Sequence, residues 1–125
     1  MGLDNYWEAP KGTSLEELTF DPPLRLCGGL FSGHGDGSFR GKVYSGIVEA
    51  ITGVSLYEDK IDNTTVCQMA DALEKQDWDE LSEDIQLELY DPDEDNAADA
   101  RRDYVDLQRM FRGYAAAGYE LNSWF

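Results

Sequence analysis

Six apolar side chains between positions 97 and 114 keep helical spacing without interruption. Ala97, Ala100, Tyr104, Leu107, Phe111 and Tyr114 follow one another at intervals of 3, 4, 3, 4 and 3. That period places all six on one face of an α-helix and fails the alternation a strand requires. Asp91-Pro92-Asp93-Glu94-Asp95 breaks the chain ahead of the run, and Gly118 is placed to close it in a left-handed conformation. The pattern predicts a helix over Asn96 to Ala117, acidic in its first turn and carrying Arg109 and Arg112 further on, as the helix dipole favours. A helix of this length with a single apolar face needs a core to pack on, so the rest of the chain must supply one.

Two further helices are expected to do so. Val43, Ile47, Val48 and Ile51 repeat at three- to four-residue spacing behind Ser38, a candidate cap, and ahead of Gly53, a candidate terminator. This predicts a largely buried helix over Ser38 to Thr52. Thr65 and Gln68 form a capping box before Val66, Met69, Ala70 and Leu73, with Asp71 facing Lys75 one turn on, which predicts a helix over Thr65 to Lys75. Thr13 and Glu16 make another capping box for a short helix that Asp21-Pro22-Pro23 stops, and Leu24 to Cys27 alternates as a brief strand. Between Asp77 and Tyr90 the pattern supports two readings. Trp78, Leu81, Ile85 and Leu89 suit a helix, the favoured reading, while Ile85, Leu87 and Leu89 alternate as in a strand. Tyr119, Leu121 and Ser123 alternate with Glu120, Asn122 and Trp124, predicting a terminal strand.

The fold class that follows is α+β, a single compact domain spanning 1–125, dominated by helices with a few short strands that include both terminal segments. Its core is expected at Val43, Ile47, Ile51, Val66, Met69, Leu73, Tyr104, Leu107 and Phe111. A chain of 125 residues buries roughly two-thirds of its unfolded surface, enough to fold without crosslinks. Cys27 and Cys67 stand far apart, neither in a Cys-x-x-Cys pair, so neither a zinc site nor a disulfide framework is indicated. Cys67, between Val66 and Met69, reads as a small core residue. No apolar run reaches the roughly 20 residues of a membrane helix, and the amino terminus has no signal-peptide pattern; the expectation is a soluble, cytoplasmic protein with no membrane partner.

Charge is distributed unevenly. The formal net charge is −16, and the stretch from Glu58 to Asp106 holds 18 acidic against 4 basic residues, whereas Pro22 to Tyr57 carries Arg25, Arg40 and Lys42 against Asp36 and Glu49. Such a field attracts basic partners and repels nucleic acid, so direct DNA or RNA binding is not expected. The acidic stretch is read as one exterior surface. It suits either a face offered to a basic protein surface or adaptation to salt and solubility.

The most unusual segment is the run from Gly28 to Lys42, with glycine at 28, 29, 33, 35, 37 and 41. Glycine in this number carries a large entropic cost. Backbone amides ahead of a helix, with Arg40 and Lys42 nearby, suit a small anion, and the candidate ligand-binding residues are His34, Asp36, Gly37, Ser38, Arg40 and Lys42. The alternative is a plain connection between strand and helix. The phosphate-loop pattern fails, because Asp36 stands where glycine is required and Val43 where serine or threonine is required. His34 is the only histidine, which is too little for a metal centre or an assigned general base. Asp91, Asp93 and Asp95 resemble the start of a calcium loop, yet Asn96 and Arg102 occupy its sixth and twelfth positions. No catalytic residue, metal site or cofactor is assigned, and oligomeric state is not legible.

The opening Met1-Gly2-Leu3-Asp4-Asn5-Tyr6-Trp7 and the closing Asn122-Ser123-Trp124 resemble small uncharacterised phage and prophage proteins. Those chains typically begin Met-Gly-Leu-Asp-Met-Tyr-Leu and finish with a long helix leading into Ser-Ser-Trp. Asn5 and Trp7 depart from that pattern. The resemblance implies a phage or mobile-element origin and transfers no site residues; a modulator that offers its acidic face to a basic surface is the functional expectation.

Overall fold

The computed structural model describes residues 4–9, 38–39, 41–89, 93 and 97–124. The long helix, α4, spans Ala97–Ala116 and buries Ala100, Tyr104, Leu107, Met110, Phe111, Tyr114 and Ala115 on one face. Gly118 closes it at φ 85°, with the Tyr119 amide reaching back to the Tyr114 carbonyl at 3.0 Å and the Gly118 amide to Ala115 at 3.2 Å. Only a residue without a Cβ adopts that φ cheaply.

The first helix, α1, spans Gly41–Thr52, and Gly53, at φ 77°, ends it by donating to the Glu49 carbonyl at 2.9 Å. Ser38, expected at the head of this helix, lies in a strand three residues before its first residue, Gly41. Ser38–Phe39 forms a two-residue strand, β2, opposite Tyr6 and Asn5, and its Phe39 is fully buried in the core. The buried face of α1 is Gly41, Tyr44, Ile47 and Val48, with Ile51 partly buried against the core. Val43, expected inside, is 37% exposed. Tyr44 takes the inward position one residue on, burying its ring and donating its hydroxyl to Asp103 Oδ2 on α4 at 3.4 Å.

The next helix, α2, spans Asn63–Glu74 and starts two residues ahead of the capping box expected at Thr65. Asp62 is the cap: its Oδ1 accepts the Thr65 amide at 2.8 Å, satisfying one of the donors left open at any helix start. Val66, Met69, Ala70 and Leu73 are buried against α4. Each helix serves the other's end. Asn63 Nδ2 donates to the Ala115 and Tyr119 carbonyls at 3.1 and 3.0 Å, in the last turn of α4 and just beyond it. Tyr104 and Gln108 of α4 donate to the Leu73 and Gln76 carbonyls at the end of α2.

From 77 to 89 the chain forms a 3₁₀ turn at Trp78–Glu80 and a single α-turn, α3, at Glu83–Gln86, in place of one continuous helix. Leu81 and Ser82 lie extended between them, and Ser82 Oγ accepts the Ile85 amide at 3.4 Å. The apolar residues still point inward, with Trp78 and Leu81 buried and Ile85 and Leu89 packed against the core. α3 lies close over α1, where Glu88 sits against Gly46.

One antiparallel sheet carries, in order, β2, β1 (Asp4–Glu8), β4 (Glu120–Trp124) and β3 (Lys60–Ile61). Its centre pairs β1 with β4 in five-residue register from Asp4 opposite Trp124 to Glu8 opposite Glu120. Alternation sends Asn5, Trp7, Ile61 and Leu121 toward the helices, and all four are buried. Trp7 stacks on Tyr114 of α4 with ring centroids 4.5 Å apart and meets the edge of Phe111 at 5.2 Å. The described buried apolar residues form one contiguous cluster between sheet and helices. The protein is therefore helix-dominated α+β, with the two terminal segments in the sheet. The segments expected as a short helix after Thr13 and a strand at Leu24 to Cys27 lie outside the described residues. No helix among the described residues is long and apolar enough to cross a membrane.

Candidate functional site

Four of the six glycine-rich loop residues expected to contact a ligand, His34, Asp36, Gly37 and Arg40, lie outside the described residues. Ser38 is in β2, and Lys42 is exposed in the first turn of α1. Among the described residues no group of three or more histidine, cysteine or carboxylate side chains is arranged to hold a metal.

The acidic stretch resolves into two populations. In the first, arginines of α4 meet carboxylates directly. Arg112 takes Glu74 through Nε at 2.7 Å and Nη2 at 2.8 Å, and Asp71 through Nη2 at 2.5 Å. Asp71 thus pairs across the α2–α4 seam instead of with Lys75, because a planar guanidinium spans two carboxylates at once. The same contact holds the Glu74 carboxyl below its ordinary pKa and raises Arg112. Arg101 pairs with Asp79, Arg102 with Asp99 at 2.7 Å, and Arg109 with Asp106 at 2.9 Å.

The second population is Asp77, Glu80, Glu83, Asp84 and Glu88, all exposed, and none has a cationic partner among the described residues. They cluster on the segment that makes the 3₁₀ turn and α3, with Leu87, 44% exposed, in their midst. From residue 77 to residue 99 the chain contains no lysine or arginine. The segment therefore presents charge that its own sequence cannot neutralise. Asp103 differs from both groups: it is half-buried on α4, and burial pushes its carboxyl above the ordinary range against the opposing pull of the Tyr44 hydroxyl.

An open groove of about 470 Å³ lies where the end of α1, β3 and the start of α2 converge, lined by Glu49, Ser55, Glu58, Lys60, Asp62 and Thr65 among others. Asp62 is committed to capping, which lowers its carboxyl. Lys60 is committed to the sheet: its Nζ lies 3.3 Å from Glu8 Oε2 and 3.4 Å from Glu120 Oε1, and both bonds raise its pKa. Asn122 Nδ2 also donates to Glu8 Oε2, at 2.7 Å. These contacts join residues more than fifty positions apart, so no local signal announces them. Behind the groove, Asn5 Nδ2 donates to the Leu56 carbonyl at 3.0 Å and that of Asn122 at 3.3 Å, tying the loop after α1 to the sheet.

Cys67 is partly buried, within 3.7 Å of Asn63 Oδ1 and of the Ala115 carbonyl. Comparison with family models, with curated proteins and with solved structures finds no match to this chain.

Proposed function

We propose that this chain is a small protein-interaction module, or a phage-type modulator, that offers the acidic segment from Asp77 to Glu88 to a basic protein surface. The observation that carries the reading is the division of carboxylates described above. Those on α2 and the arginine-bearing face of α4, with Asp79 of the 3₁₀ turn, are consumed by internal ion pairs, while Asp77, Glu80, Glu83, Asp84 and Glu88 are exposed and have no cationic partner among the described residues. Desolvated or screened by a partner's lysines and arginines, such a patch gives fast, salt-sensitive association.

The test is titration with a lysine-rich peptide, comparing the unsubstituted protein with Glu83→Gln/Asp84→Asn/Glu88→Gln and with Asp71→Asn/Glu74→Gln. Association is expected at low salt, falling as salt rises, and several-fold weaker in the first variant than in the second. Equal binding by both variants overturns the assignment of the face. Absence of binding, with stability climbing steeply with salt, points instead to adaptation to a saline environment.

A further inference from the structure

β3 has β4 on one side and, among the described residues, no strand on the other. The phase of the β3–β4 ladder decides which main-chain groups that edge presents. Asp59 and Ser123 stand one step beyond the Lys60–Asn122 pair, and the Ser123 amide donates to the Asp59 carbonyl at 3.3 Å. Antiparallel partners alternate between exchanging hydrogen bonds and exchanging none, so the Asp59 carbonyl and the Ile61 main chain face β4 while Lys60 turns its N–H and C=O away from it. The outward groups on either side are taken within the chain. The Glu58 amide bonds the Ser55 carbonyl, the Glu58 carbonyl accepts Ser123 Oγ at 2.7 Å, and the Asp62 carbonyl accepts the Val66 amide at 2.9 Å. The Lys60 N–H and C=O have no such bond among the described residues, which is the state of a strand edge open to addition. Lys60 also lines the groove between the end of α1 and the start of α2. That groove brings Glu49 and Glu58, exposed and without a cationic partner among the described residues, together with Asp62.

We propose that this edge takes an extended basic peptide by strand addition: one residue of the partner exchanges a pair of main-chain hydrogen bonds with Lys60, and a lysine or arginine on each side of that residue meets Glu49, Glu58 and Asp62. Successive side chains of an added strand alternate between faces. The residue opposite Lys60 therefore shares the face of the Lys60 side chain, and its two neighbours turn to the face of Ile61, which is buried against the helices. The groove carboxylates select the charge of those neighbours. The same charge disfavours pairing of two copies of this chain, each carrying −16. The edge is separate from the acidic segment 77–88 and does not depend on its role.

The test uses the peptide acetyl-Val-Lys-Val-Lys-Val-amide and its counterpart N-methylated at the central valine. Both are titrated at low salt into Glu83→Gln/Asp84→Asn/Glu88→Gln, which removes charge from the other acidic face, and binding is followed by NMR shifts and amide hydrogen exchange. The parent peptide is expected to slow exchange of the Lys60 amide and to bind several-fold more tightly than the methylated one, which keeps every charge but has no N–H to give the Lys60 carbonyl. Adding Glu49→Gln/Glu58→Gln should weaken the parent peptide several-fold. The proposal is overturned if the two peptides bind alike, if neither binds, if saturating peptide leaves Lys60 exchange unchanged, or if loss of the two groove carboxylates leaves affinity unchanged. A dimer that protects the Lys60 amide without peptide gives the edge to a second copy and overturns it as well.

Discussion

Tyr104→Phe removes one hydroxyl from a site where two donors share two acceptors. In the native protein the Tyr104 hydroxyl lies 3.0 Å from the Leu73 carbonyl and 2.6 Å from that of Gln76, and Gln108 Nε2 lies 2.8 and 3.2 Å from the same two oxygens. Those carbonyls belong to the end of α2, where the helix itself offers no amide partners. Backbone amides add the Lys75 contact and a 3.3 Å contact from Gln76, both to the Leu73 carbonyl. Loss of the hydroxyl alone leaves Gln108 serving both oxygens, so the expected cost is that of one ordinary hydrogen bond, about 1 kcal/mol. For a chain of this length that is roughly 3–5 °C in melting temperature. Gln108→Ala should cost a similar or smaller amount, since Gln108 is the less buried of the two.

The double variant Tyr104→Phe/Gln108→Ala strands both carbonyls without a side-chain donor. Its cost is expected to exceed the sum of the single costs by about 0.5–2 kcal/mol, the range for coupled partners in one network. Urea denaturation of the four proteins closes the cycle. pH provides a second reading: burial pushes the Tyr104 hydroxyl up to about 12, so the unfolded chain ionises first and stability is lost as pH rises from about 10 toward that value. This alkaline loss should diminish in Tyr104→Phe. Additive single costs, or an unchanged alkaline limb, would refute the shared-donor account.

Two further outcomes are expected. Asp103→Asn should stabilise the protein near neutral pH, because burial raises the Asp103 carboxyl and so penalises its charged form; the gain should shrink as pH falls below the native pKa, and equilibrium unfolding across the acidic range will show it. Gly46→Ala should also stabilise, by about 0.5–1 kcal/mol from backbone entropy. The new methyl meets only the movable end of the exposed Glu88 side chain, whose Cβ stays at an ordinary 3.5 Å. A loss of stability in Gly46→Ala would mean that the α1–α3 contact is rigid.

What the sequence disclosed depended on how far each signal extended. The α4 pattern runs through six residues on one face, and its closure at Gly118 follows from the same chain segment. In α1 the period was legible but its phase was not: Val43 and Tyr44 are both acceptable core residues, and the partners of the tyrosine, Phe39 beside its ring and Asp103 at its hydroxyl, lie in other segments. Between 77 and 89 the inward residues were identified while the connection was not, because Ser82 interrupts the helix with a cap of its own. Strands of two residues, such as β2 and β3, are too short to show alternation. The acidity was plain, yet its division into bonded and exposed carboxylates required knowing that Arg112 reaches α2 instead of leaving Asp71 to Lys75. Lys60 carried no signal at all, since its partners come from opposite ends of the chain.

That meeting of distant segments bears on how the protein is made. The middle of the sheet joins Asn5 to the Asn122 carbonyl across 117 positions, so in a nascent chain emerging from the ribosome the edge of β1 opposite β2 has no partner strand until translation has passed Trp124. Closing so long a loop is slow and comes late. The helices α2 and α4, close in sequence and capped by each other, can assemble first. During synthesis β1 is accordingly an uncommitted edge, and a chain stopped short of β4 would leave Trp7 and its aromatic surroundings open to chaperones and proteases.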